Sequence, residues 1–195
     1  KYKNIKTDYV VPPGLDLDIF YPKKNDNLGY KKEWVVGCIG RIEEWKGSGD
    51  VTKAISILHK KGYKIKYRVA FNPVDYDNYE LVKPDGHVEL ANFYRSLDIM
   101  VAPGHIQLGA IHYPVLESMA CGVPVITTGY FPASKDNSYI VDVRNPESIA
   151  NKVIEVITKP DVLNKKIKNA EKDIANFTWV SVSKKFYSIL IRESK

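Results

Sequence analysis

The sequence predicts an α/β fold, a Rossmann-like open parallel sheet with helices on both faces. Three observations carry this. Short apolar runs alternate with amphipathic stretches from residue 34 onward, several runs stop at glycine or proline, and no apolar run approaches the roughly 20 residues of a membrane span. Strand–helix–strand alternation of this kind builds a mostly parallel sheet covered on both sides. Such sheets bind ligands outside the carboxyl ends of their strands. Function is therefore expected in the loops at 40–47, 72–86, 103–113 and 128–137.

Each element has its own signal. Tyr9-Val10-Val11 is a short apolar run stopped by Pro12-Pro13-Gly14, and residues 15–33 are irregular and polar, as in a linker. Trp34–Gly40 reads as a buried strand closed by glycine. Val51, Ala54, Ile55 and Leu58 recur at helical spacing, which predicts a helix over about 48–60 ending near Gly62. Ile65–Phe71 is a second strand, and Glu80–Val82 a short third one inside a loop rich in Pro, Asp and Asn. A helix over 88–97 leads into a strand over 98–102 that stops at Pro103-Gly104. Pro114 suits a first helical turn, where its missing N–H costs nothing, so 114–120 is a helix ended by Gly122. Strands over 123–127 and 139–141 follow, then helices over 146–158, 161–175 and 179–192.

With 195 residues, 44% hydrophobic and 27% charged, the chain is long enough for one domain with a sizeable core. Cys38 and Cys121 sit among apolar or small residues without metal-ligand spacing, so both are expected as buried free thiols in a reducing compartment. The basic start, Lys1–Lys6, has no apolar stretch behind it, which gives no signal peptide and an expected cytoplasmic location. No initiating Met is present, consistent with a chain cut from something longer. The formal net charge of +6 comes from scattered lysines. It fits a protein that handles phosphorylated ligands, one that touches anionic lipid, a nucleic-acid binder, or a solvated lysine-rich surface. No zinc finger, helix-turn-helix or RNA-binding aromatic motif accompanies it, so no nucleic-acid partner is expected. Neither G-x-G-x-x-G nor a phosphate-loop lysine pattern occurs, which argues against a dinucleotide dehydrogenase or an NTPase.

At the first of these loops, Gly40-Arg41-Ile42-Glu43-Glu44-Trp45-Lys46-Gly47 resembles the "GR…KG" segment of the group 1 retaining glycosyltransferases of the GT-B fold. The stretch Glu89–Asp98 with Val101-Ala102-Pro103 resembles another of that family's motifs, and Leu116-Glu117-Ser118-Met119-Ala120-Cys121-Gly122-Val123-Pro124-Val125-Ile126 a third. Pro13-Gly14-Leu15-Asp16, Asn145-Pro146-Glu147 and Phe177-Thr178-Trp179 match shorter signatures in the same order. The resemblance covers the C-terminal, donor-binding half of a two-domain enzyme. It implies residues 1–33 as an inter-domain linker, 34–177 as a nucleotide-sugar-binding domain and 178–195 as a C-terminal helix.

The resemblance also implies roles. Arg41 and Lys46 become the catalytic cations that stabilise charge on the leaving phosphate, with Gly40 beside them. Glu117 accepts hydrogen bonds from the ribose hydroxyls. The backbone of Gly109, Ala110, Ile111, His112 and Tyr113, at a helix start, faces the pyrophosphate, and Val82, Lys83 and Pro84 lie against the base. The donor is a UDP-, GDP- or ADP-sugar, with no cofactor and no metal. The acceptor, a glycan or lipid-linked sugar, belongs to a missing N-terminal domain or partner subunit, through which the protein reaches a membrane surface. The family's first glutamate of E-x7-E is replaced here by Gly109, which leaves His105, Gln107 and His112 as candidate sugar contacts. That loss keeps open a non-catalytic nucleotide-sugar-binding module, or one subunit of a split enzyme. Asp16-x-Asp18 and Asp75-x-Asp77 mimic the metal-binding D-x-D of a different transferase architecture and are read as linker and loop.

Overall fold

The computed structural model describes residues 11–23, 31–106 and 111–193. Six strands form one sheet: β1 (Trp34–Gly40), β2 (Ile65–Phe71), β3 (Glu80–Val82), β4 (Ile99–Ala102), β5 (Val125–Thr127) and β6 (Tyr139–Ile140). Their order is β3-β2-β1-β4-β5-β6, and every pairing is parallel. The chain thus winds outward from β1 in one direction and then, from β4, in the other. This reversal opens a crevice at the carboxyl ends of β1 and β4.

Alternation along the strands assigns the helices to two faces. Val36 and Cys38 of β1, Ile99 and Val101 of β4 and Ile126 of β5 point to one side, where α1 (Ser48–Lys60) and α4 (Pro146–Thr158) supply Val51, Ile55, Leu58, Ile149 and Val153. Ile39, Met100, Ala102 and Val125 point to the other, against Phe93, Tyr94, Leu116 and Met119 of α2 (Gly86–Arg95) and α3 (Tyr113–Ala120). Helix α5 (Pro160–Ile174) touches both cores, through Leu163 on the first and Ala170 and Ile174 on the second. Both cysteines are free and buried, and burial pushes each thiol up to about 12.

Several boundaries differ from expectation for local reasons. Helix α2 starts at Gly86, two residues early, because Glu89 reaches back to accept the Asp85 backbone N–H at 2.8 Å. It ends at Arg95 rather than 97. Asp98 is not in β4: its carboxylate accepts the Val35 N–H at 3.0 Å and pairs with Lys23 and Lys31. Strand β5 begins at Val125, since the Val123 N–H turns back to the Ser118 carbonyl and Pro124 has none to give.

The irregular segment ahead of β1 is not a loose tether where it is described. Leu15 and Phe20 are buried in the second core. The Leu15 N–H donates to the Phe177 carbonyl at 2.7 Å, and Leu15 bridges Thr178 in parallel. Arg95 donates to the Ile19 carbonyl and lies 4.2 Å over the Tyr21 ring. The run at Tyr9–Val11 falls, Val11 apart, outside the described residues.

The last helix, α6 (Trp179–Glu193), buries Val182 but leaves Trp179, Val180, Phe186, Tyr187 and Leu190 exposed. These five recur at three-, four- and seven-residue intervals, so they form an apolar stripe on the helix. No helix among the described residues is long and apolar enough to cross a membrane.

Candidate functional site

The site forms where β1 and β4 end. Beyond Gly40 the chain makes a short 3-10 turn, Glu44–Lys46, before α1 begins. Two glycines shape this loop. A Cβ on Gly40 would collide with the Asn72 carbonyl oxygen, whose own side chain donates to the Gly40 carbonyl at 3.1 Å. Gly47 has φ +80°, a left-handed conformation, and a Cβ there would stand 2.6 Å from the Pro103 carbonyl oxygen. The Arg41 N–H donates to the Ser48 hydroxyl at 3.0 Å, which fixes the point from which the guanidinium leaves the sheet.

Hydrogen bonds stitch this loop to its neighbours. The His105 N–H donates to the Trp45 carbonyl at 2.7 Å. Thr128 donates to the Gly104 carbonyl, and the Tyr130 hydroxyl donates to the Ile106 carbonyl at 2.8 Å. The strand-end loops after β1, β4 and β5 are thereby held as one surface.

Arg41, Lys46 and His112 line one cleft in this surface, together with Ser48, Pro103 and Pro114. The Arg41 side chain is exposed. The Lys46 ammonium rests 4.0 Å over the Trp45 ring, a cation–π contact that holds it at the rim. His112 lies flat on Tyr130, with ring centroids 4.3 Å apart and planes 15° from parallel. Burial, with the charges of Lys46 and Arg41 added, lowers its pKa to about 4, so the ring is neutral near pH 7.

Glu117 stands on α3, and its side chain is buried. The Tyr94 hydroxyl, from α2, donates to its carboxylate at 2.8 Å. Burial raises the Glu117 pKa, while the Tyr94 hydrogen bond and His87 oppose the rise. Val82 ends β3 at the same edge of the sheet and packs against the core that contains Tyr94; Pro84 is half-buried and Lys83 exposed.

The other expected residues fall as follows. His105 lies apart from the Arg41–Lys46–His112 cleft, in a second one shared with Arg41, Glu43, Asp50 and Arg144. Its ring is nearly buried and bonded to Asp50 at 2.7 Å. Ile111 bridges Phe131, and Tyr113 is exposed. Gln107, Gly109 and Ala110 lie outside the described residues. Asp16 accepts the Asp18 N–H in a local turn. Among the described residues, no group of three or more His, Cys, Asp or Glu side chains gathers as a metal site requires.

Sequence reasoning missed Tyr94 as the partner of Glu117, Tyr130 as the platform for His112, and Asp50 as the anchor of His105. Tyr94 was visible only as one aromatic of an amphipathic helix. Nothing local links residues 23, 18 and 55 positions apart.

Comparison with known proteins bears on this arrangement. The family described as "Glycosyl transferases group 1" matches residues 33–159, more than half of the chain. The capsular polysaccharide biosynthesis glycosyltransferase CapM of Staphylococcus aureus is 25% identical over 194 residues, covering 88% of this chain and 48% of that protein. The chain thus spans about half the length of that curated relative. Among solved structures, the C-terminal domain of the group 1 glycosyl transferase LpcC from Francisella tularensis superposes with TM-score 0.66 at 25% identity, covering 84% of this chain and 97% of that one. Anabaena HepE in complex with UDP-glucose gives TM-score 0.76 at 15% identity over 94% of this chain and 57% of that one; at that identity the likeness is one of fold.

Proposed function

Because the chain belongs to the group 1 family of glycosyl transferases, we propose that this domain binds the nucleotide-sugar donor of a sugar transferase. The observation that supports it most is the convergence of Arg41 and Lys46 where β1 and β4 end, with the Tyr94-held carboxylate of Glu117 on the neighbouring helix. A nucleoside diphosphate sugar has complementary parts: two phosphates for the cations and a ribose diol for a carboxylate acceptor. The base lies against Val82, Lys83 and Pro84, and the backbone N–H groups of Ile111, His112 and Tyr113 face the pyrophosphate.

Cleaving the glycosidic bond leaves negative charge on the distal phosphate. Arg41, with its bidentate fork, and Lys46, as a point charge, stabilise that charge more than the ground state. Side-chain cations then stand where other transferases place a metal, and the reaction is metal-independent and retaining. The acceptor is a glycan or lipid-linked sugar held by a second domain or subunit. The apolar stripe of α6 is the surface against which that second body packs, and through it the protein works at the cytoplasmic side of a membrane. The capsular polysaccharide role of CapM is in keeping with a glycan acceptor.

Calorimetry with UDP, GDP, ADP and TDP, with and without Mg²⁺, tests the reading. One of them binds, Mg²⁺ leaves the affinity unchanged, and Arg41→Ala and Glu117→Ala each weaken it at least about tenfold. Binding of none sinks the proposal. The 195 residues alone transfer no sugar; turnover by them would refute the need for a second body. Gly109, standing where the family carries a glutamate, favours one other reading: a nucleotide-sugar-binding module or a subunit of a split enzyme. Nucleotide binding without turnover, even when the acceptor-binding partner is supplied, selects that one.

A further inference from the structure

The imidazole of His112 is not needed by the grip just described, which uses only the backbone there. Its placement nonetheless points to a ligand. The ring is fixed flat against Tyr130, whose hydroxyl is engaged by the Ile106 carbonyl. It lines the same cleft as Arg41 and Lys46. Its Nδ1 is buried and has no hydrogen-bond partner among the described residues. The ring therefore carries hydrogen-bonding capacity that the described residues leave unused.

We propose that His112 is a third phosphate ligand, and that it takes up one proton from solution as the diphosphate binds. The inference rests on the nucleotide-sugar reading above and adds a regulatory property to it. Two cations, Arg41 and Lys46, face the ring from the loop after β1. From the loop after β5, among the described residues, it meets the face of Tyr130. On its own helix, Tyr113 is exposed and the Glu117 carboxylate is already engaged by Tyr94 from α2. The cleft is lined also by Cys38 and Ser48, and no carboxylate is among its described lining residues. Every charge lining it therefore opposes protonation of the ring.

A diphosphate reverses this balance. Its negative charge offsets Arg41 and Lys46, and a non-bridging phosphate oxygen becomes the acceptor for an imidazolium N–H. The ring gains a proton from water, no covalent bond changes, and a charge-assisted hydrogen bond forms. A neutral sugar hydroxyl would not offset the two cations, so the proposal is specific to phosphate. Proton uptake means that affinity rises as pH falls through the pKa of the ring in the complex. It levels off only below the pKa of the empty site, about 4. Between those limits the slope approaches tenfold, at most about one decade, per pH unit.

The probes are UDP-glucose, GDP-glucose and ADP-glucose, whose phosphates are diesters and carry no proton of their own in this range. Dissociation constants are measured from pH 5.5 to 7.5 for the wild type and His112→Gln, and at pH 6 in two buffers of different ionisation enthalpy. Glu117 also titrates toward the acid side, so the readout is the difference between the two proteins. The wild type tightens on acidification by at least about threefold more than His112→Gln, and its binding heat changes between the two buffers by a different amount from that of the variant. Equal pH profiles and equal buffer dependence overturn the role of His112 and leave nucleotide-sugar binding standing. Failure of the wild type to bind any of the three at any pH overturns both. A thermal melt of His112→Gln confirms that the folded variant is being measured.

Discussion

The hydroxyl of Tyr94 donates to the carboxylate of Glu117 at 2.8 Å, across the interface between α2 and α3. Neither side chain is surrounded by solvent, and the bond orients an acid on one helix from a position on another. Its removal separates the orientation of the carboxylate from its presence. Tyr94→Phe keeps the ring and deletes the donor; hydrogen bonds to charged groups contribute roughly 1.5–3 kcal/mol. Nucleotide affinity is expected to fall about tenfold, by calorimetry, with the fold retained. Unchanged affinity would show that Glu117 needs no holder.

Glu117 itself is predicted to be a site where function opposes stability. Burial raises its pKa, so the folded protein holds the proton at pH values where the unfolded chain has already released it. Stability therefore falls as pH rises from the ordinary carboxyl value through the folded one, and at neutral pH the full cost is present. Glu117→Gln removes the charge and preserves an acceptor for Tyr94. Its Tm is expected to exceed that of the wild type at pH 7, by a margin that shrinks at pH 4.5, while nucleotide binding is lost. A lower Tm at pH 7 contradicts this.

His112 gives the opposite slope in the absence of ligand. Its folded pKa is about 4 against the ordinary 6.5, so the unfolded chain binds the proton first as pH falls. The folded state loses stability progressively between about pH 6.5 and 4, by up to about 3 kcal/mol for this one group. His112→Gln should flatten that part of the pH–stability curve in denaturant titrations. Parallel curves for the two proteins would mean that the ring is solvated in the folded state.

Gly47 is expected to tolerate no side chain. Alanine at φ +80° costs about 1–2 kcal/mol from backbone sterics alone, and its Cβ would press on the Pro103 carbonyl oxygen at 2.6 Å. Gly47→Ala should lower Tm by several degrees and weaken nucleotide binding, because the loops carrying Lys46 and His105 are forced apart. Scanning calorimetry with a binding titration checks both; a variant with unchanged Tm would show that the loop relaxes freely.

The strands were legible because parallel strands covered on both faces read as near-continuous apolar runs, as in Trp34–Gly40 and Ile99–Ala102. Their ends were less so. Asp98 and Val123 look like strand residues until their hydrogen bonds to Val35 and Ser118 are seen. The docking of Leu15 and Phe20 had no periodicity to announce it, since irregular chain can bury residues at any spacing. Within the candidate site, motif resemblance singled out Arg41, Lys46, His112 and Glu117, and the first three line one small cavity. What resemblance did not supply were Tyr94 and Tyr130. Their partnerships depend on which helices and loops become neighbours after the sheet has wound in both directions from its centre.

The parallel bridge between Leu15 and Thr178, with its 2.7 Å bond to Phe177, has a mechanical meaning. The described chain runs into the domain and out of it side by side, with all six strands lying between the two residues. Such a body is carried at this one place as a lantern is carried by its handle. A partner that grips the segment before Leu15 therefore also stands next to the helix after Thr178.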